Sequence, residues 1–322
     1  RKTMKKLLML SLLLLSVIGM KAVTPVKQWG QLQVKGTQLC DQQGNPVVLR
    51  GVSLGWHNLW PRFYNKEAVK WLANDWHATV IRAAMGVKID DNYLENPKFA
   101  MECMRPVIEA AIKNGVYVII DWHAHDMYTN EAKAFFGQMA KQYGKYPNVI
   151  YELFNEPIEN SWESLKVYHK TVIDEIRKYD PDNVILCVCH HRDQDIDVVA
   201  KNPIDGVSNV MYTVHFYAAT HKQYLRDRTE EAVKSGLPVF ISECGGCEAS
   251  GNGELSETEW NNWVELMNRL KISWAAWSLS DKDETCSMLL PRAKATGNWT
   301  NDLIKPWGKL VRNTLLKYNR QL

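Results

Sequence analysis

Eight apolar segments of strand length recur between residues 47 and 279, and stretches with helical periodicity separate most of them. The segments are 47–54, 79–85, 116–121, 149–154, 184–189, 210–216, 238–243 and 273–279. Helices are expected over 65–74, 99–114, 131–146, 161–179, 221–235, 256–270 and 306–318. Asn65, Ser161 and Ser256 are placed to cap three of them, and Gly115, Pro147 and Gly236 to stop three. Ser256 with Glu259 three residues on has the form of a capping box. Strands alternating with helices of this length make βαβ units, so the expected class is α/β, closing as a (β/α)8 TIM barrel. Segments 31–34 and 38–40, turning at Gly36-Thr37, predict a short N-terminal β-hairpin ahead of it. No repeat or low-complexity linker divides the chain, so residues 23–322 read as a single domain.

Two of the strands deliver carboxylates. Ile150 to Pro157 reads I-Y-E-L-F-N-E-P, and Pro157 cannot continue a strand ladder, which leaves Glu156 at a C-terminal strand rim. Pro238 to Glu243 repeats the pattern as P-V-F-I-S-E, closed by Gly245 and Gly246. In a closed barrel all such ends meet at one face, so Arg82, His123, Asn155, Glu156, His215, Tyr217, Glu243 and Trp277 converge there. A facing carboxyl pair suits glycoside hydrolysis, in which one group protonates the leaving oxygen and the other attacks or directs water. The roles require different proton affinities. Arg82 near Glu243 is expected to favour its charged form, and a less polar niche around Glu156 to favour the proton. Tyr217 is expected to donate to Glu243, and Asn155 to hold a sugar hydroxyl. Trp277, with Trp56 or Trp60, offers flat apolar faces for pyranose rings.

Other chemistries find less support. The run Asp121-Trp122-His123-Ala124-His125 resembles a metal-hydrolase strand, but further ligands are not evident and no metal is expected. Neither a P-loop nor a dinucleotide fingerprint occurs, so no cofactor is expected. Lys5-Lys6 followed by an apolar run to Ile18 reads as a signal peptide over residues 1–22, which implies a secreted or periplasmic protein. Five of the 39 basic residues and none of the 36 acidic ones lie in that segment, so the remainder carries 34 against 36, a net charge of −2. That balance gives no basic footprint for nucleic acid. Of seven cysteines at least one lacks an intrachain partner, and Cys244-Gly-Gly-Cys247 offers a small disulfide in an exported chain.

Taken together, V-I-R-A-A-M (Val80 to Met85), D-W-H (Asp121 to His123), F-N-E-P (Phe154 to Pro157), V-H-F-Y (Val214 to Tyr217), I-S-E (Ile241 to Glu243) and A-W-S-L-S-D-K (Ala276 to Lys282) resemble the retaining glycoside hydrolase family 5. The likeness is to its bacterial endo-β-1,4-glucanase branch. It implies one catalytic barrel, Glu156 as acid/base and Glu243 as nucleophile. Arg82, His123, Asn155, His215, Tyr217 and Trp277 then support the site or touch sugar. The substrate implied is cellulose or soluble β-glucan, with mannan, xyloglucan and mixed-linkage glucan as alternatives on the same scaffold. No obligate protein partner is inferred, and the expected state is a monomer. A non-catalytic glycan-binding barrel would keep the tryptophans but lose a carboxyl, and both carboxyls are present. The chain departs from that branch in three places. His190-His191-Arg192-Asp193 stands where an aromatic platform usually precedes a Q-D-V-D-like stretch, which puts His191 and Arg192 among the expected substrate contacts. Cys244-Gly245 replaces the usual Trp-Gly, and the first loop G-W-H-N-L-W has an unusual order.

Overall fold

A two-stranded antiparallel hairpin, β1 (Gln33–Lys35) and β2 (Gln38–Cys40), precedes a closed eight-stranded barrel in the computed structural model, which describes residues 23–319. The barrel strands are β3 (Arg50–Leu54), β4 (Val80–Gly86), β5 (Tyr117–His123), β6 (Val149–Glu152), β7 (Ile185–Cys187), β8 (Val210–Tyr217), β9 (Val239–Gly245) and β10 (Trp274–Leu279). Every neighbouring pair is parallel, and β10 pairs with β3 to close the ring. The expected barrel and hairpin are therefore both present. The signal-peptide expectation falls on residues 1–22, outside the described residues.

Local signals act where the sequence places them. The side chains of Asn65, Ser161 and Ser256 accept from the amides of Ala68, Ser164 and Glu259, each satisfying a helix N-terminal donor. The reciprocal half of the capping box is not made: the Ser256 amide donates to the Gly246 carbonyl at 2.9 Å, and the Glu259 carboxylate accepts from Arg226 at 2.6 Å. Gly115 ends the helix Pro97–Asn114 with φ +67°, a left-handed conformation that costs glycine little. Short helices escaped the sequence reading, among them Pro25–Trp29 ahead of the hairpin and Ile196–Lys201 after the polar stretch that follows β7, each too short to show a periodicity.

Strand alternation divides the barrel into an inside and an outside. On β5, Val118, Ile120 and Trp122 join the large apolar layer beneath the helices, whereas Tyr117 and Ile119 join a separate cluster within the barrel. That inner cluster gathers Val80, Ile150, Leu186, Met211 and Phe240, and it is covered by Leu32 and Leu39 of the hairpin. The hairpin thus plugs the N-terminal end. Val34 N–H donates to Asn209 at 3.0 Å, and Tyr117 donates its hydroxyl proton to the Gly30 carbonyl at 2.8 Å. With the floor apolar and sealed, the polar inward positions, Arg82, Asp121, Glu152 and His215, all lie nearer the C-terminal rim.

The cysteine expectation needs correction. Cys247 pairs with Cys286, and Cys244 stays a buried free thiol. Strand geometry explains the choice: Cys244 lies within β9, its thiol against the Ala275 carbonyl at 3.4 Å, while Cys247 has left the strand for the loop. The bridge ties the loop after β9 to the loop after β10. Replacing Cys247 and Cys286 together by Ala should lower thermal stability by about 2–4 kcal/mol, as expected for a closed loop of this order, and leave turnover within a few-fold. Calorimetry alongside initial-rate measurements checks both halves. Loss of turnover in a folded double variant would contradict a purely structural bridge.

Candidate active site

Arg82 sits fully buried in the barrel, and its guanidinium organises the site. Its Nε donates to Glu152 at 2.7 Å, Nη1 to Glu243 at 2.9 Å and Nη2 to the Asn155 side-chain oxygen at 2.8 Å, with Asp121 3.0 Å from Nη2. Asp121 and Glu152 are register partners on β5 and β6, which places two carboxylates side by side against one cation. Glu152 also accepts from Ser242 at 2.5 Å. Burial alone would raise its pKa, but Arg82 and His215 reverse that and hold the Glu152 carboxyl down at about 2. Asp121 goes the other way: burial, with Glu152 and Glu243 as like charges, outweighs Arg82 and raises its pKa well above the ordinary range. Burial and the Arg82 charge keep its partner His123 neutral, and the two share a 2.6 Å bond.

Glu243 has both oxygens engaged. Arg82 holds Oε2, and Tyr217 donates to Oε1 at 2.6 Å. Burial and the Glu243 charge push the Tyr217 phenol well above its usual pKa, so it remains a donor. Gly245 makes this contact sterically feasible, because a Cβ there would lie 2.6 Å from the Tyr217 ring and 2.8 Å from the Cys286 sulfur. The change from Trp-Gly to Cys-Gly after the carboxylate therefore keeps the residue that the geometry requires.

Glu156 stands across the rim, its backbone N–H donating to the Ala124 carbonyl at 3.1 Å. His215 Nδ1 lies 3.0 Å from Oε1, and Arg192 Nη1 lies 3.6 Å from Oε2. The expected less polar niche is absent. Burial does favour the proton, but the His215 hydrogen bond and charge, with His125 and Arg192, outweigh it and lower the Glu156 pKa. His215 is set opposite Glu243 by a register shift between Thr213 and His215. Burial opposes its imidazolium, yet Asp193, Glu243, Glu152 and Glu156 together raise its pKa well above the ordinary value.

The cleft over these groups has a volume of about 290 Å³. Trp277 stacks on His123 at 5.2 Å and 8°, and Trp56 meets His123 edge-on at 4.3 Å. Trp60 and Arg192 also line the cleft, so five of the six expected sugar contacts are brought together. His191 is not. It turns to Asp195 at 3.4 Å with its side chain 70% exposed, because its left-handed backbone, φ +56°, directs it outward. The sequence reading missed Glu152, Asp193, Ser242 and Glu284 as members of the site or cleft wall. Alternation from Ile150 could have revealed Glu152 as inward-facing. Asp193 and Ser242 carry no such local signal.

A closed parallel barrel presenting two carboxylates across its C-terminal rim, beneath aromatic walls, defines a glycoside hydrolase. The cellulase model of glycosyl hydrolase family 5 matches residues 40–283. The chain belongs to that family, in its bacterial endoglucanase branch. It is 38% identical to an endoglucanase of Clostridium saccharobutylicum over 98% of this chain and 72% of the relative. It is also similar to a solved structure from Cytophaga hutchinsonii, with 44% identity, a TM-score of 0.90 and coverage of 93% of this chain and 98% of that one. The catalytic domain of Thermobifida fusca endoglucanase Cel5A superposes with a TM-score of 0.87 at 35% identity, covering 91% and 99%.

Replacing Arg82 by Met should cost about 3–5 kcal/mol, because the buried Glu152 and Glu243 carboxylates lose their cation. Denaturant unfolding measures it. A loss below about 1 kcal/mol would contradict the central role of this guanidinium.

Proposed function

We propose that this chain hydrolyses internal β-1,4-glucosidic bonds of cellulose or soluble β-glucan with retention of anomeric configuration, Glu243 acting as nucleophile and Glu156 as acid/base. The observation that carries the mechanism is the separation of the carboxyls: an oxygen of Glu156 and an oxygen of Glu243 lie within 4.8 Å of one another. Retaining enzymes place the pair at about 5–5.5 Å, whereas inverting ones need roughly 6.5–9.5 Å to admit water between carboxyl and sugar.

In the first step a Glu243 oxygen attacks the anomeric carbon, the glycosidic C–O bond breaks, and the leaving oxygen takes a proton from Glu156. Arg82 and Tyr217 orient the attacking carboxylate. In the second step Glu156 takes a proton from water, the resulting oxygen attacks the same carbon, and Glu243 departs. The His215–Glu156 pair can carry a proton between its two members across 3.0 Å. This matches a group that must be an acid in one step and a carboxylate in the next. Trp277, Trp56 and Trp60 supply faces for pyranose C–H groups, and the open rim admits a chain passing through, which favours internal cuts.

The same reading makes the chain an exported monomer acting alone on polysaccharide, with residues 23–322 as one catalytic domain. The Cys247–Cys286 bridge supports an oxidising destination, secreted or periplasmic.

On a panel of cellulose, mixed-linkage glucan, xyloglucan, mannan and xylan, the unbranched β-1,4-glucan should turn over best, with viscosity falling before glucose accumulates. Release of monosaccharide only would defeat the endo assignment. Proton NMR of the first product, recorded before mutarotation, should show the β anomer. Glu156→Ala should keep glycosylation by an activated aryl glycoside and yield a β-glycosyl azide with added azide, whereas Glu243→Ala should yield the α azide. An initial α product from wild type would overturn retention.

A further inference from the structure

Asp193 has no place in the double displacement, yet it is fully buried at the back of the site. It belongs to a turn after β7 in which three successive non-glycine residues, His191, Arg192 and Asp193, have φ of +56°, +54° and +61°. Left-handed conformations are unfavourable for residues with a Cβ, so the turn persists only because its surroundings fix it. Asp193 Oδ1 accepts from the Cys189 amide at 2.8 Å, and the Arg192 amide donates to the Pro157 carbonyl at 2.9 Å. The consequence is a placement of opposite charges at the two ends of the His215–Glu156 pair. Asp193 Oδ2 makes no hydrogen bond and lies 3.3 Å from His215 Nε2, a charge contact beside the 2.9 Å hydrogen bond between Nε2 and Ser242 Oγ. Arg192 Nη1 lies 3.6 Å from the outer oxygen of Glu156, with its side chain 52% exposed.

We propose that Asp193 is a positioning residue for acid catalysis: from behind His215 it retains the proton that the His215–Glu156 pair shares, and so sets the alkaline limit of hydrolysis. The assignment rests on the acid/base role of Glu156. Around His215 the facing groups are Asp193 from the turn, Glu152 and Glu156 from β6 and its loop, Ser242 and Glu243 from β9, and Arg82, Asp121 and His123 from β4 and β5. Around Glu156 they are His215, His125, Arg192, Tyr217 and His221. Ser242, which donates to Glu152 and shares a 2.9 Å hydrogen bond with Nε2, is neutral; of the two carboxyls facing Nε2, Asp193 at 3.3 Å is nearer than Glu152 at 3.7 Å, and Arg82 binds Glu152 but not Asp193. Burial holds the Asp193 carboxyl up at about 6, hence it is ionised in the range where an alkaline limb falls.

The sign follows from charge. Removing the Asp193 anion lowers the proton affinity of both members of the pair, so the shared proton leaves at lower pH. Removing the Arg192 cation acts oppositely and more weakly, because water screens a half-exposed group. Asp193→Asn is the informative variant: Asn keeps an oxygen for the Cys189 amide and tolerates left-handed backbone.

The alkaline limb of kcat/KM on cello-oligosaccharides should move toward acid by about one pH unit in Asp193→Asn, and by a few tenths the other way in Arg192→Gln. With 2,4-dinitrophenyl β-cellobioside, whose leaving group needs no protonation, the limb should stay in place. An unmoved limb with cello-oligosaccharides in folded Asp193→Asn, or an equal displacement with both substrates, would overturn the proposal. Nitrogen-15 NMR of the His215 ring gives a substrate-free reading: the wild-type ring should remain protonated above about pH 7, and Asp193→Asn should lower its titration. A neutral ring at pH 7 in the wild type overturns the role of Asp193 even if no variant folds. Because this titration needs no substrate, it separates failure of that role from failure of the hydrolase reading.

Discussion

The guanidinium of Arg82, buried inside a barrel whose floor is sealed by apolar side chains, is the element on which the site depends. A lone cation there would be untenable, and so would Asp121, Glu152 or Glu243 without it. Each is tolerable only because the others are present. The planar fork suits this task, since it gives Glu152, Glu243 and Asn155 separate donors at fixed angles. Glu243 is consequently aimed by a group whose position the whole barrel determines.

One cation cannot neutralise every nearby carboxylate, and the structure resolves the excess by environment. Glu152, with two donors from Arg82 and one from Ser242, is held ionised. Asp121, with an oxygen lacking any partner, is driven toward the proton. His215 takes up charge on the other side of the rim, between Asp193 and Glu156. The site is thus divided into a half organised by a fixed charge, Arg82, and a half organised by a titratable one, His215.

The loops refine this division. The Cys247–Cys286 bridge fastens together the loops that follow the Glu243 strand and the Trp277 strand, and both contribute to the cleft wall. Opposite them, the left-handed turn after β7 sets the half-exposed Arg192 cation in the cleft wall, so that part of the cleft is polar.

Much of this was legible in the chain as written. Apolar runs alternating with capped helical stretches specify the barrel, because hydrogen-bonding and burial periodicities act over a few residues. Asn65, Ser161, Ser256 and Gly115 mark helix ends for the same reason. Glu156, Glu243, Arg82, Asn155, His215, Tyr217 and Trp277 were legible because a barrel must bring its strand ends to one face. What the sequence could not show depends on distances between segments remote in the chain. The partner of Cys247 is 39 residues away. The proton affinity of Glu156 depends on His215, 59 positions on, and the outward turn of His191 depends on backbone angles that the Asp193 and Arg192 contacts impose. Local pattern determines which residues face inward; only the closed barrel determines which charges meet there, because electrostatic energy depends on separation in space and on exclusion of water.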